Sequence, residues 1–90
     1  MTTPPININF VTVTEDNMEA VNSLVDDMMQ YHPWDKDKIA KGTDVRNAIG
    51  NAIKVILASV PPSPDRSAAI RKLREARMDC NSAITHDGRY

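Results

Sequence analysis

The run Pro61-Pro62-Ser63-Pro64 constrains this chain more than any other segment, because it stops one helix and starts another. Pro61 lacks an amide hydrogen and keeps Val60 out of the α region, so an apolar helix before it must end there. Ser63 can accept backbone amide hydrogen bonds as the N-cap of the next helix, with Pro64 at the first helical position. The run predicts a tight helix–helix corner, a feature that by itself carries no particular function.

Apolar side chains recur mostly at steps of three and four residues on both sides of this corner. They predict a long helix over residues 44–60, capped by Thr43 or Asp44, and another over residues 64–86 that stops at Asp87-Gly88. Two helices joined by so short a corner form a long antiparallel αα-hairpin. The apolar faces comprise Val45, Ile49, Ala52, Ile53, Ile56, Leu57 and Val60 on the first helix, and Ala69, Ile70, Leu73, Ala76, Cys80, Ala83 and Ile84 on the second.

The N-terminal segment, residues 1–13, is predicted to be an extended arm. Pro4 and Pro5 disfavour an early helix, and apolar residues then alternate with Asn7 and Asn9, as in a short strand or extended segment. An apolar arm of this kind would pack on the body of the protein or on another chain.

A first helix is predicted over residues 14–31. Thr12-x-x-Glu15 has the spacing of a capping box, with Thr14 as the alternative cap. His32-Pro33 ends the helix, and residues 32–43 are predicted to form a polar linker. Helical spacing of methionine and valine is typical of an adaptable core stripe; the stripe comprises Met18, Val21, Val25 and Met28.

These elements predict an all-α fold in which residues 1–90 form a single helical domain. A hairpin cannot cover the wide apolar face of residues 45–60 by itself, even with the first helix laid across it, and a chain this short is marginal alone. We therefore predict an oligomeric helical assembly. Gly50 weakens the helix that carries this face, so we expect another helix to approach closely there.

Cysteine content and hydrophobicity indicate the setting in which the chain works. Cys80 is the one cysteine, which excludes an internal disulfide and a cysteine-based zinc site and suits a reducing cytoplasm. No apolar run reaches the roughly 20 residues that cross a bilayer. The N-terminus has neither the basic residues nor the apolar stretch of a signal peptide. We therefore expect no membrane partner.

Charge is distributed unevenly along the chain. Residues 1–31 contain five acidic and no basic side chains, whereas the remainder contains 11 basic and seven acidic ones. The two halves could attract each other, or a neighbouring subunit. Alternatively, the basic surface attracts an anion such as a nucleotide phosphate. The overall net charge of −1 argues against a general DNA-binding protein.

Residues that would support catalysis are sparse. The three glycines, at positions 42, 50 and 88, are too scattered for a glycine-rich phosphate loop. His32 and His86 lie far apart in sequence, and Cys80 belongs to an apolar stripe and has no obvious base. We predict no enzymatic activity, no cofactor and no metal site.

The cluster Tyr31-His32-Pro33-Trp34 is the best candidate for ligand binding. Aromatic faces stack on nucleobases, although the cluster could equally be a hydrophobic plug that seals the hairpin. Arg46, expected in the first turn of the next helix, could hold a phosphodiester, or it could be a solvated surface charge. One aromatic platform and one arginine, doubled by a two-fold axis, would match a cyclic dinucleotide.

The corner and its following helix, PPSPDRSAAIRKLREARM and then Asn81-x-Ala83-Ile84, resemble the last helix of the phage anti-CBASS cyclic-oligonucleotide sponges. Tyr31-His32-Pro33 stands where those proteins have a Tyr-His-Pro element, and the resemblance covers residues 29–86. It implies a small helical protein that forms a homohexamer in the host bacterial cytoplasm. Such a protein sequesters immune cyclic dinucleotides, such as 3′,3′-cyclic GMP–AMP, without cleaving them. The alternative is a structural or protein-binding helical oligomer with no nucleotide ligand.

The resemblance also implies where the ligand binds. In the sponges the dinucleotide pocket lies between paired subunits, with an aromatic residue and a basic residue that Tyr31 and Arg46 match. A second site, for cyclic trinucleotides, uses a tryptophan and an arginine where this chain has Asp79 and His86, so trinucleotide binding is expected to be weak or absent. The candidate ligand-binding residues are therefore Tyr31, His32, Pro33, Trp34 and Arg46.

Overall fold

A computed structural model describes residues 6–90, and over these residues the protein has three α-helices and no β-strand. Helix α1 comprises Met18–Met29, α2 comprises Lys36–Ser59, and α3 comprises Pro64–Thr85. The predicted all-α class is confirmed. Within the described residues, none of the helices combines the length and the apolar character needed to cross a membrane.

The corner between α2 and α3 has the predicted local structure. Val60 is extended, with φ −105° and ψ 130°, and its amide donates to the carbonyl of Ile56 in the last turn of α2. Ser63 caps α3 because its Oγ accepts a hydrogen bond from the backbone amide of Arg66 at 3.1 Å. Pro64 occupies the first turn of the helix. The proline run thus ends one helix and begins the next through purely local interactions.

Helix α3 ends at the predicted Asp87-Gly88 stop. Both residues adopt left-handed backbone conformations, with φ of 53° and 75° respectively. The amide of Gly88 donates to the carbonyl of Ala83 at 2.9 Å, and the amide of Asp87 donates to the carbonyl of Ile84 at 3.3 Å. This is the hydrogen-bond pattern of a Schellman motif. It turns the last two residues of the chain toward α1, where Tyr90 contacts the end of the helix.

Helix α2 begins about two turns earlier than predicted, at Lys36 rather than at residue 44. Its N-cap is Asp35, whose Oδ1 accepts a hydrogen bond from the backbone amide of Lys38 at 2.9 Å. The segment 32–43, predicted to be a polar linker, is therefore mostly helical. Asp35 is a favoured N-cap residue, but the helical segment that it begins contains Gly42, a residue type that weakens helices.

That glycine, Gly42, lies inside α2 beneath the indole of Trp34. It is buried, and a Cβ added to it would overlap Cζ3 of the indole and come within 2.6 Å of Cη2. The indole Nε1–H donates to Oγ1 of Thr85 at 2.8 Å, so the ring joins the start of α2 to the end of α3. Glycine is therefore needed at position 42 for close packing with the indole. Since Thr43 and Asp44 also lie inside α2, the prediction that they cap this helix is wrong.

Helix α1 is shorter than the predicted 14–31, because a turn over residues 15–17 precedes it. Its N-cap is Asn17, whose side chain forms hydrogen bonds with residues that precede it in the sequence. The Asn17 Oδ1 accepts from the amide of Thr14 at 2.7 Å, and its Nδ2 donates to the carbonyl of Thr12 at 2.9 Å. Thr12 and Thr14 bond to Asn17 through their backbone groups, so the predicted capping box is wrong.

The predicted extended arm is only partly within the described residues, since Pro4 and Pro5 lie outside them. Residues 8–10 form a turn in which the amide of Phe10 donates to the carbonyl of Asn7 at 3.0 Å. The prediction of an extended segment is wrong there. Phe10 is 86% exposed, so its ring is not packed on the body of this chain.

Helices α2 and α3 pack side by side, and among the described helices they are the one pair whose backbones approach each other closely. None of the residues in their predicted apolar stripes is fully buried; Leu57 is 51% and Val60 39% exposed. Val21 of α1, at 5%, is the most fully buried apolar residue among those described. A Cβ at Gly50 would meet no atom within 4 Å, so the expected close approach of another helix does not occur among residues 6–90.

Candidate functional site

A groove of about 330 Å³ runs between α2 and α3. Helix α2 contributes one cationic side chain to its walls and α3 contributes two. Its volume is in the lower part of the range of small-molecule sites, about 300–1,000 Å³. The lining residues are Arg46, Ile49, Gly50 and Ile53 from α2, and Arg74, Arg77, Met78 and Asn81 from α3.

A second, smaller groove of about 130 Å³ adjoins the first and shares Arg46, Arg77 and Asn81 with it. It adds the indole of Trp34, together with Ile39, Gly42 and Thr43. The two grooves therefore form one continuous surface between the helices, which we call the arginine groove. Its cationic part is bordered by the indole of Trp34, which packs on Gly42 of α2 and bonds to Thr85 of α3.

The arginine groove is positively charged. Within the described residues, no carboxylate forms an ion pair with Arg46, Arg74 or Arg77. Three guanidinium groups along one groove without an internal counter-ion attract an anionic ligand. Each guanidinium can also donate two parallel hydrogen bonds to a phosphate group.

The lining of the groove favours a ligand that is not purely ionic. Ile49, Ile53 and Met78 supply apolar surface, and the amide of Asn81 supplies both a donor and an acceptor. An inorganic anion would leave the apolar side chains uncovered. An anionic ligand with flat, partly apolar groups, such as a nucleotide, would contact both parts of the surface.

Sequence reasoning placed Arg46 in the first turn of its helix, where free backbone amides would assist anion binding. Because α2 begins at Lys36, Arg46 lies about three turns inside the helix, and those amides are elsewhere. Its charge acts instead together with Arg74 and Arg77 across the groove. The predicted residue is in the site, but the physical reason given for it is wrong.

The structure brings two of the five predicted ligand-binding residues together. Trp34 and Arg46 both line the arginine groove. Tyr31 is 83% exposed and Pro33 is also exposed, and neither lines the groove. The ring of His32 lies edge-on to that of His86 near the end of α3, with 5.1 Å between ring centroids, and it does not line the groove either.

Arg74 and Arg77 border the groove but are not among the five predicted ligand-binding residues. Both side chains are exposed. They are three residues apart and so occupy one side of the helix. Their position next to the apolar stripe residue Leu73, combined with a facing arginine on α2, is the signal that could have identified them.

A second group of polar side chains surrounds Asp27 at the end of α1. The Tyr90 hydroxyl donates to its Oδ2 at 2.5 Å, and Arg89 Nη2 lies 3.2 Å from the same oxygen. The hydrogen bond from Tyr90 is the main reason that the pKa of Asp27 lies below its ordinary value, and it raises the pKa of Tyr90. His32 and His86, which lie far apart in sequence, meet beside this carboxylate.

Comparison with known proteins assigns no family or function to this chain. No family model matches the sequence, and neither a curated protein nor a solved structure matches it. The interpretation of the arginine groove therefore depends on its own residues and on the sequence resemblance described above.

Proposed function

We propose that this chain is a non-enzymatic sponge for bacterial immune cyclic dinucleotides, such as 3′,3′-cyclic GMP–AMP. By sequestering the signal in the infected host cytoplasm, it would block CBASS-type anti-phage signalling. The observation that carries the proposal is the arginine groove, which is lined by three guanidinium groups without a described acidic partner, two of them in the part that the indole of Trp34 also lines. The resemblance of residues 29–86 to the phage sponges points to the same ligand class.

The ligand has two phosphodiesters and two bases, and the groove offers a partner for each kind of group. Arg46 and Arg77 border both halves of the groove, so either can reach a phosphate placed near the indole. The flat face of an aromatic ring contributes about 1–3 kcal/mol for each base it stacks on. The net charge of −1 does not favour DNA as a competing ligand.

The proposed sponge works as a homohexamer in which each chain contributes a long antiparallel αα-hairpin. Exposed apolar side chains on α2 support this assembly, since Val55 is 63% and Leu57 51% exposed. The resemblance implies a pocket between paired subunits. In such a pocket the exposed ring of Tyr31 from one subunit would cover the arginine groove of the other.

Assembly can be tested by measuring the mass of the protein in solution. We expect light scattering to give a mass several times that of one chain, because uncovered apolar surface on α2 favours association. Leu57→Glu should lower this mass by placing a charge in the contact. Lys54→Glu adds the same side chain at an exposed position of the same helix and should leave the mass unchanged. A monomeric parent protein would contradict the assembly.

Sequestration without cleavage can be tested with one ligand-release experiment. The protein is mixed with 3′,3′-cyclic GMP–AMP, separated from free ligand, and then denatured by heat. We expect chromatography of the released material to show intact cyclic dinucleotide, because the groove supplies binding groups and no catalytic pair. Recovery of linear dinucleotide would indicate an enzyme instead.

A structural or protein-binding oligomer is the second candidate function. The exposed apolar side chains favour it, since Phe10 and Met29 are 86% and 78% exposed. This alternative predicts that the assembled protein retains no nucleotide in the release experiment, while Leu57→Glu still disrupts the assembly. The two measurements together therefore distinguish a sponge from a scaffold.

A further inference from the structure

Three potential metal ligands meet where α1, the segment after it and the end of α3 come together. Asp27, His32 and His86 each offer one ligand atom, and these atoms all lie within 4.8 Å of one another. Asp27 and His32 are neighbours in sequence, whereas His86 comes from the far end of α3, so local sequence alone does not explain why all three converge. We propose that they form a binding site for a divalent transition-metal ion of the zinc type.

The burial of His86 is the strongest independent observation for this site. Its side chain is a buried polar group, with the residue only 7% exposed. The Nδ1 atom is fully shielded and has no hydrogen-bond partner among the described residues. Buried polar atoms in native proteins nearly always have a partner, and an unmatched one calls for a specific explanation such as an ion. A metal ion held by this cluster would give the imidazole a polar partner.

Asp27 is held so that one carboxylate oxygen remains for a metal ion. Tyr90 and Arg89 both bind Oδ2, at 2.5 Å and 3.2 Å respectively. The other oxygen, Oδ1, lies 3.7 Å from Nε2 of His32. Hydrogen bonds that fix a ligating carboxylate in this way are typical of metal sites, where they orient the ligand and tune its basicity.

A bound ion would draw the three ligand atoms closer together than the 4.8 Å within which they now lie. Zinc binds histidine nitrogen and carboxylate oxygen at about 2.0–2.2 Å in tetrahedral sites, so its ligand atoms are roughly 3.3–3.5 Å apart. The 3.7 Å between Oδ1 of Asp27 and Nε2 of His32 is close to that value. Two imidazoles and one carboxylate leave a fourth position for water. Magnesium, which prefers oxygen ligands in an octahedral arrangement, would bind poorly.

Metal binding would also change the hydrogen bonding of His32. Its Nε2 lies 2.6 Å from the backbone carbonyl oxygen of Asp27. When this nitrogen carries the proton, it can donate a hydrogen bond to that oxygen. An ion coordinated at this nitrogen would take the place of that proton. It would also connect the end of α1 to the C-cap of α3, in addition to the contacts that Tyr90 and Arg89 make with Asp27. We therefore expect zinc to raise the thermal stability of the chain.

The test uses the full chain, freed of metal by a chelator and then titrated calorimetrically with zinc chloride near neutral pH. We expect one zinc ion per chain, a higher melting temperature with zinc, and no binding of magnesium. Asp27→Asn and His32→Gln should each weaken zinc binding by at least about 10- to 100-fold, since even the loss of an outer hydrogen-bond partner costs that much. Cobalt substituted for zinc should give the intense visible absorption of a four-coordinate site.

Matched controls separate this site from nonspecific metal binding. Asp26→Asn removes the neighbouring exposed carboxylate, and Cys80→Ala removes the one thiol; neither should alter zinc binding. His86→Gln tests the buried ligand, with circular dichroism reporting whether the helices remain. Absence of zinc binding to the parent protein would overturn the proposal. Binding that survives both Asp27→Asn and His32→Gln would overturn it equally.

Discussion

Replacement of Arg46 by alanine is expected to weaken the binding of 3′,3′-cyclic GMP–AMP by roughly 10- to 100-fold. Hydrogen bonds that involve a charged group contribute about 1.5–3 kcal/mol, and the guanidinium can donate two of them to one phosphate. Arg46 borders both parts of the arginine groove. It is exposed and makes no ion pair with a described carboxylate, so its removal should leave the helices intact. Calorimetric titration of the parent and the variant measures the difference.

Two arginine replacements extend this experiment across the groove. Arg77→Ala removes the second guanidinium that borders both parts, and we expect a loss of similar size. Arg46→Lys keeps the charge but not the paired donors, so it should recover only part of the affinity. Two-fold symmetry would place two copies of each change on one ligand, and the measured losses could then be about twice as large in free energy.

Control variants carry the same change outside the groove. Lys54→Ala on α2 and Arg71→Ala on α3 each remove one exposed positive charge from a helix that lines the site, and neither residue borders it. If they reduce binding as strongly as Arg46→Ala, the ligand responds to overall charge and not to the groove. Equal affinity of Arg46→Ala and the parent would place the ligand elsewhere.

Tyr31→Ala distinguishes a pocket within one chain from a pocket shared between two. The ring is 83% exposed and does not line the groove of its own chain. A shared pocket would bring it onto a base of the ligand, where its loss would cost about 1–3 kcal/mol. Unchanged affinity would leave Trp34 as the aromatic residue of the site and would argue against the pocket that the resemblance implies.

Local signals in the sequence were sufficient to predict the structure where it depends on residues that are neighbours along the chain. Ser63 caps α3 and Pro64 begins it because the interactions reach only three residues along the chain. The Schellman motif at Asp87-Gly88 is equally local. These features predicted the ends of α3 almost to the residue.

Local signals in the sequence failed to predict the structure where the position of a residue depends on a partner that is distant in sequence. Gly42 resembled a linker glycine, and only the fold shows that it receives the indole of Trp34. Arg74 and Arg77 resembled solvated charges, and only the packing of α3 on α2 places them across from Arg46. His32 and His86 are separated by more than half of the chain, so their meeting depends on how the end of α1 lies against the end of α3.

Gly42→Ala and Gly50→Ala are expected to change stability in opposite directions, although both add one methyl group to α2. At Gly42 the new Cβ would overlap the indole of Trp34, which must then move and lose its bond to Thr85. Overpacking of this kind costs about 1–3 kcal/mol, and the lost hydrogen bond offsets the gain of about 1 kcal/mol from better helix propensity. We expect a net loss of about 1–3 kcal/mol, which would lower the melting temperature by roughly 5–15 °C.

At Gly50 the new Cβ meets no described atom within 4 Å. Alanine there should raise stability by about 0.5–1 kcal/mol, because the helix no longer bears the conformational entropy of a glycine. Chemical denaturation of both variants without ligand, at one fixed protein concentration, measures the two effects and holds any contribution from assembly constant. A loss of stability in Gly50→Ala would mean that a helix of another subunit packs against this glycine, since none of the described residues would resist the added methyl. A gain in Gly42→Ala would mean that Trp34 does not lie on α2, and the indole would then no longer border the arginine groove.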